Sequence, residues 1–187
     1  MNMFCFQCQE TAGCKGCTRV GVCGKSAQTA GLQDLLIYVT KGLSDVATKL
    51  RKAGKKVGTD VNHLVTENLF ITITNANFDD EKITARIVDT LACKEALLAE
   101  LGSDAGLTEA AKWNGTEETF AEKAAQVGVL STENEDIRSL REMIVYGLKG
   151  MAAYSKHANA LGKESEAIDA FLQETLAKTL DDSLDVE

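Results

Sequence analysis

The sequence predicts an all-α protein in which a cysteine-rich loop precedes two tandem three-helix bundles, the second of them incomplete. Two observations predict the helices: proline is absent from the 187 residues, and apolar residues recur at helical spacing along most of the chain. A third observation is that five of the six cysteines lie between Cys5 and Cys23, in a segment without any such period. We expect the cysteine-rich loop at 1–27, a first bundle at 28–104, a connector with short helices at 105–133, and a second, truncated bundle at 134–187.

The composition limits the functions that the chain can have. Hydrophobic residues make up 44% of the chain and charged residues 26%, as in globular proteins, and no apolar run reaches the ~18 residues that a membrane span needs. The net charge of −8 disfavours nucleic acid as a partner, because phosphate contacts need a cationic face. The amino terminus has no secretory signal features, so we expect a cytoplasmic protein with no membrane partner.

Three segments account for the first bundle. Apolar residues at 28–54 are spaced by three, four and seven, and Gly54 supplies a left-handed helix cap. The second segment, 61–75, contains a β-branched "LFITIT" stretch that favours a strand by propensity alone. The third segment, 79–101, has an acidic start and is closed by Gly102.

The connector is less regular and leads into another long helix. Short helical pieces are predicted around "TEAAKW" and "TEETFAEKAAQ". The "TENE" run predicts a capping box, in which Thr132 accepts a hydrogen bond from the backbone of Glu135 at the start of a helix that extends to Gly162.

Two of the helices repeat each other. Residues 32–55 align without a gap with residues 140–163, at an offset of 108. The identical pairs are Leu32 and Leu140, Tyr38 and Tyr146, Lys41 and Lys149, Gly42 and Gly150, Gly54 and Gly162, and Lys55 and Lys163. At an offset of 107, residues 61–72 of the second segment fall on 168–179, which is plainly helical, so we predict a helix at 61–75. Two unrelated amphipathic helices with similar ends are the alternative explanation.

The repeat leads to two further expectations. The mid-helix glycines Gly42 and Gly150 would each cost roughly 1 kcal/mol against alanine, so we predict that both mark close helix crossings. The third helix of the second copy should begin near "DDSLDVE", where the sequence stops. We therefore expect the second bundle to expose apolar faces that the remainder of a longer protein, or a second copy of the chain, would cover.

The cysteine-rich loop has too little apolar content to fold without a covalent or coordinate bond. A reducing compartment and an odd number of cysteines disfavour disulfides. Zinc would use the two CxxC pairs, Cys5, Cys8, Cys14 and Cys17, but only five residues separate the pairs and Cys23 is left over. An iron–sulfur cubane would use Cys5, Cys8, Cys17 and Cys23, whose CxxC-x8-C-x5-C spacing allows four thiolates to surround a compact cage.

Glycines and cations in the loop also favour the cluster. The glycines would let backbone N–H groups turn toward the sulfurs, because glycine tolerates positive φ; they are Gly13, Gly16, Gly21 and Gly24. The cations would offset the negative charge of a cluster, although a solvated surface explains them equally well; they are Lys15, Arg19 and Lys25.

Several stretches of the chain resemble one known family. They are "MFCFQCQETA", "GCTRVGVCGK" and "LQDLLIYVTKGL" near the amino terminus, and "VLSTENEDIRSLREMIVYGLKGMAAY" further along. These stretches resemble the hybrid cluster protein family, also called prismane proteins or hydroxylamine reductases, and the resemblance covers nearly the whole chain.

The resemblance implies a cluster and an activity. It implies an amino-terminal domain of two three-helix bundles with a cubane at their base, held by the cysteines that match Cys5, Cys8, Cys17 and Cys23. The short gap between the second and third cysteines resembles the branch with a [4Fe-4S] cluster, whereas a longer insertion accompanies [2Fe-2S]. The implied parent protein is an oxidoreductase that reduces hydroxylamine to ammonia, or nitric oxide to nitrous oxide, with electrons from a redox donor protein.

Two departures from the family pattern shape the functional hypothesis. Cys14 is a fifth thiol outside the family's four. The family's hybrid iron–sulfur–oxygen cluster is bound in two later domains that have no counterpart in this sequence. We therefore expect this chain to relay electrons through a [4Fe-4S] cluster without turning over substrate. The alternatives are a zinc-stapled interaction module and a stand-alone ferredoxin-like electron carrier.

Overall fold

The computed structural model describes residues 3–74, 78–103 and 106–185, and within these ranges the chain is all-α, as predicted. Seven α-helices follow the cysteine-rich loop. They are α1 (Ala27–Lys52), α2 (Thr59–Ile73), α3 (Asp80–Leu101), α4 (Glu109–Lys112), α5 (Glu117–Val127), α6 (Glu135–Ala160) and α7 (Glu166–Lys178). Short 3-10 turns at Ala12–Cys14 and Val129–Ser131 complete the secondary structure of the described residues.

The internal repeat is visible in the helix boundaries. Helices α1 and α6 have 26 residues each, and a shift of 108 positions places one on the other end to end. The strand-like stretch forms the end of α2 and its C-cap, Thr74, so the helix predicted there from the repeat is confirmed. Its predicted last residue, Asn75, lies outside the described residues.

Helix α1 is the centre of the fold. Its apolar side chains, including Leu35, Val39 and Leu43, are fully buried, and α1 packs against α2, α3, α4, α5 and α7. Helix α2 packs in turn against α6. The main core therefore joins side chains from both halves of the chain, such as Leu69 of α2 and Leu148 of α6. The division into bundles at 28–104 and 134–187 stays a prediction, and the boundary between 104 and 105 lies outside the described residues.

The helix ends show which capping predictions are correct. Gly54 follows α1 with a φ of 76°, the left-handed conformation predicted for it, and Gly102, predicted to close the third helix, follows α3 with a φ of 72°. The capping box at Thr132 is wrong, because α6 begins after Asn134, whose Oδ1 accepts from the backbone N–H groups of residues 136 and 137 at 3.0 and 3.1 Å. Thr132 lies too far before the first turn, and its carbonyl accepts from Arg138 instead, at 3.0 Å.

The two mid-helix glycines differ in their surroundings. A Cβ at Gly42 would overlap the backbone of Ala110 in α4, so the predicted close crossing is confirmed there. At Gly150 a Cβ would meet nothing within 4 Å among the described residues, so the same prediction is wrong for the second copy. Among the described residues, no element packs over Gly150 as α4 packs over Gly42.

Apolar side chains are exposed on the two helices of the second half. Met143 and Tyr154 of α6 are 64% and 82% exposed, and Phe171 of α7 is 55% exposed. In the described ranges no helix combines the length and the apolar character that crossing a bilayer requires.

Candidate metal centre

The cysteine-rich loop is held together by the pairing of Cys5 with Cys17. The two residues form an antiparallel bridge in which each backbone N–H donates to the other's carbonyl at 3.0 Å. Both side chains are buried and pack with Met3 and with Ala30, in the first turns of α1. The pairing brings two thiols that are twelve residues apart in sequence to the same place at the start of the central helix.

Hydrogen bonds are directed at the sulfur of Cys17. The backbone N–H of Ala12 donates to Cys17 Sγ at 3.4 Å, and Thr11 Oγ1 lies 3.7 Å from the same sulfur. Burial alone raises the pKa of Cys17, but the bonds from the backbone of Ala12 and Val22 and from the Thr11 hydroxyl outweigh it, so the pKa is lowered. The lowered pKa makes the Cys17 thiol easier to convert to the thiolate, the form that binds metals, than a thiol with an ordinary pKa.

Cys5 has the opposite balance. Burial raises the pKa of its thiol, and this effect exceeds the opposing hydrogen bond from the backbone of Gln7 and the attraction of Lys25. Even a thiol with a raised pKa loses its proton when its sulfur binds a metal ion, because metal coordination deprotonates thiols outright.

The other loop cysteines are more accessible. Cys8 is half-buried, whereas Cys14 and Cys23 are exposed. Gly21 is required beside Cys23, because a Cβ at position 21 would lie 2.9 Å from Cys23 Sγ. The turn that carries Cys23 is closed by two backbone bonds of 2.8 Å, from Gly21 to the carbonyl of Lys25 and from Gly24 to the carbonyl of Gly21.

Cys14 has an unusual backbone conformation. Its φ of 56° is the one positive value among the non-glycine residues that the structure describes, and it follows Gly13, which has the same φ. Neither Cys14 nor any other cysteine of the described ranges forms a disulfide.

The chemistry of the donor set is compatible with an iron–sulfur cluster, because cysteine thiolates hold such clusters in proteins. In the described part of the chain no three side chains of His, Cys, Asp or Glu converge on one point where an ion could be held. In a cubane, four thiolates would each bind a different iron at a corner of one cage. A backbone N–H donor to a ligand sulfur, as from Ala12 to Cys17, is one of the interactions that tune such clusters.

A chain of buried polar groups lies beneath the loop. Gln7, in the turn between Cys5 and Cys8, donates from Nε2 to Asp34 Oδ1 of α1 at 2.5 Å and accepts from Lys25 Nζ at 3.2 Å. All three of these side chains are buried. Burial raises the pKa of Asp34 to about 7, against the opposing hydrogen bond from Gln7. Of the three cations predicted to offset a cluster's charge, Lys25 is buried, whereas Lys15 and Arg19 are exposed.

The structure adds a residue that the sequence reasoning missed. Lys149 of α6 is only 2% exposed, and its charge interacts with Glu142, Asp34, Lys25 and Cys5. Burial lowers its pKa to about 8, and the carboxylates of Glu142 and Asp34 act in the opposite direction. The repeat contained a signal, since Lys149 matches Lys41, which interacts with the same two carboxylates.

Comparison with known proteins identifies the family of the chain. Residues 3–187 match the Prismane/CO dehydrogenase family. The chain belongs to this family. The resemblance to hybrid cluster proteins that the sequence motifs predicted is thereby confirmed.

Relatives of this prismane-family chain are named as hydroxylamine reductases. It is 58% identical over 185 residues to the "Hydroxylamine reductase" of Desulfovibrio desulfuricans, covering 98% of this chain and 34% of that protein. It is 56% identical over 194 residues to the protein of the same name from Clostridium perfringens, covering 100% of this chain and 35% of that protein. The chain thus spans about a third of the length of the relatives it matches.

Proposed function

We propose that this chain is the electron-transfer part of a hydroxylamine-reducing oxidoreductase, with one [4Fe-4S] cluster bound by Cys5, Cys8, Cys17 and Cys23. The observation that carries the proposal is the Cys5–Cys17 bridge, which places two thiols together and directs an N–H donor at one of them. The family match and the printed name of the relatives support the reaction class.

The cluster would supply one-electron redox chemistry, and the chain's own residues would hold and tune it. The four thiolates would anchor the cage, and N–H donors such as that of Ala12 would stabilise the charge on sulfur. Cys5 and Cys17 are buried, Cys8 is half-buried and Cys23 is exposed. A redox donor protein in the cytoplasm would therefore deliver its electron at the exposed part of the loop, which includes Cys23.

Reduction of substrate would take place elsewhere in the longer protein. Hydroxylamine needs two electrons and two protons to give ammonia and water, and two molecules of nitric oxide need the same to give nitrous oxide and water. A cubane passes one electron at a time, so a second centre must collect the pair. The hybrid cluster that the family resemblance implies would be bound by residues outside this chain, and the chain alone would relay electrons without turnover.

The remaining apolar surface is consistent with such an assembly. The exposed side chains of Met143, Tyr154 and Phe171 are expected to be covered by the remainder of a longer protein or by a second copy of this chain.

Anaerobic redox cycling tests the proposal. The purified chain is reduced with dithionite, separated from the excess, and reoxidised with a one-electron acceptor. Electron paramagnetic resonance counts the spins, and a separate assay follows hydroxylamine consumption. We expect about one electron per chain to be stored and released, with hydroxylamine consumption at background. A colourless, zinc-containing chain would support the interaction module held by Cys5, Cys8, Cys14 and Cys17, and hydroxylamine turnover by the chain alone would refute the relay role.

A further inference from the structure

Three lysines are among the largest fully buried side chains of the described residues: Lys25, Lys94 and Lys149. A buried ammonium group is costly unless a compensating partner surrounds it. Lys94 has such partners in the connector, since its Nζ donates to the carbonyl of Ala110 at 3.0 Å and to that of Trp113. The other two lysines lie together at the cysteine-rich loop.

Contacts of neighbouring residues on helix α6 also place Lys149 near the cysteine-rich loop. Tyr146 Oη lies 3.4 Å from Gln9 Oε1, next to Cys8, and Glu142 and Tyr146 line one cleft together with Cys8 and Gln9. Lys149 lies three residues after Tyr146 and seven after Glu142, so it shares this face of the helix. A cation from the second half of the chain, Lys149, therefore lies on the side of α6 that faces the loop.

The buried charges at this place do not balance, because two lysines, Lys25 and Lys149, are buried beside one acid, Asp34. Two partly buried groups of opposite charge, Lys41 and Glu142, interact with them and leave the difference unchanged. The cations outnumber the acids. A buried surplus of positive charge needs an anion, and neutral side chains such as Gln7 offer only dipoles.

A [4Fe-4S] cluster with four thiolates is such an anion. Two ferric and two ferrous ions contribute ten positive charges, four sulfides contribute eight negative ones and four thiolates contribute four, which leaves a net charge of −2. One electron from the reduced donor converts one ferric ion to ferrous, and the charge becomes −3. A fixed cation nearby stabilises the second state more than the first.

We propose that Lys149 is a positioning residue of the electron-transfer site: a buried cation that the second helical repeat contributes to stabilise the reduced cluster and raise its reduction potential. The proposal rests on the cluster proposed above. It makes the potential a property of both halves of the chain rather than of the cysteine-rich loop alone. The electron is the only particle transferred in this step, and Lys149 acts through its charge.

Anaerobic potentiometric titration of wild type, Lys149→Met, Lys149→Arg and Lys94→Met tests the proposal. Lys94→Met is the matched control, because it removes an equally buried lysine whose partners are connector carbonyls. We expect Lys149→Met to lower the equilibrium constant for reduction about tenfold, which is about 59 mV for a one-electron couple. Lys149→Arg and Lys94→Met should stay within about twofold of wild type.

Iron content and thermal melting, measured on the same samples, separate the possible failures. A Lys149→Met protein with wild-type iron, wild-type melting and an unchanged or raised potential overturns the inference and leaves the proposed function standing. An equal shift in Lys94→Met also overturns it. A wild-type chain without iron overturns the proposed function and the inference together. If Lys149→Met binds no iron, Lys149→Gln replaces it in the titration. If both variants bind no iron while Lys149→Arg and Lys94→Met do, the result supports the proposal that the cluster needs a cation at position 149.

Discussion

The carbonyl of Ala110 lies directly over Gly42, so that the connector helix α4 rests on the backbone of the central helix α1. This contact is possible only because position 42 has no side chain. The equivalent glycine of the repeat, Gly150 on α6, has open space over it. In the part of the chain that the structure describes, the two halves of the repeat therefore share a glycine that is covered by another helix in the first half and uncovered in the second.

Alanine substitutions at these two glycines should change stability in opposite directions. Gly42→Ala forces α4 away from α1 and should lower the free energy of unfolding by about 2–3 kcal/mol. Gly150→Ala meets no neighbour and should raise it by about 0.5–1 kcal/mol through the better helix propensity of alanine. Urea unfolding of the anaerobically purified chain measures both, and changes of the same sign would contradict the close crossing at Gly42.

Arg51 joins the two halves of the chain and should be important for stability. It donates to Gln173 Oε1 of α7 at 2.6 Å and to Asn62 Oδ1 of α2 at 2.9 Å, and Gln173 and Asn62 are both buried. Arg51→Met removes the donor to the Gln173 oxygen, so we expect a loss of about 1–3 kcal/mol in urea unfolding. The control is Lys178→Met, whose exposed pair with Glu174 should change stability by less than about 0.5 kcal/mol. Equal losses in the two variants would contradict the role of Arg51.

The buried Lys94 should make stability depend on pH in the alkaline range. Burial lowers its pKa to about 8, below the 10.5 of the unfolded chain. Between these values the unfolded chain binds more protons than the folded one, so the free energy of unfolding should rise with pH, by up to about 3 kcal/mol from this group. Lys94→Met should lack this contribution. Urea unfolding at pH 8 and pH 10 measures how the free energy of unfolding changes with pH. An equal change in wild type and variant would contradict the lowered pKa of Lys94.

Cysteine substitutions should separate cluster ligands from other thiols. Cys17→Ala removes the sulfur that accepts the N–H of Ala12, and bound iron should fall from about four per chain to near zero. Cys14→Ala and Cys93→Ala should retain the iron, because Cys14 lies outside the proposed four and Cys93 lies on α3, packed against the main core. Iron analysis after anaerobic purification gives the result. Loss of iron in Cys14→Ala with retention in Cys23→Ala would contradict the proposed ligands and favour the two CxxC pairs, Cys5, Cys8, Cys14 and Cys17.

The helices could be predicted from the sequence because their signals are local. Apolar spacing located α1, and the repeat correctly overrode the β-branched propensity of 61–72. Glycine caps after α1 and α3 were equally local. The capping error at Thr132 is of a different kind: Thr132 and Asn134 can both cap a helix, and the choice depends on where the preceding 3-10 turn ends, which the sequence does not reveal.

The contacts of the site could not be predicted, because they join distant parts of the chain. The cysteines were recognisable by spacing, but the bridge between Cys5 and Cys17 depends on how the loop folds back on α1. Lys149 entered the sequence analysis only as the match of Lys41, and its burial depends on how α6 packs against distant parts of the chain. Likewise, the space over Gly150 among the described residues depends on elements outside its own helix.

The central claim is that iron–thiolate bonds, rather than apolar packing, give residues 5–23 their structure. Iron and acid-labile sulfide analysis of the anaerobically purified chain, combined with amide hydrogen exchange over this segment, tests it most directly. The account predicts about four iron and four sulfide per chain, and protection of the segment that is lost when a chelator removes the iron. A chain without iron and sulfide whose residues 5–23 remain protected would contradict it.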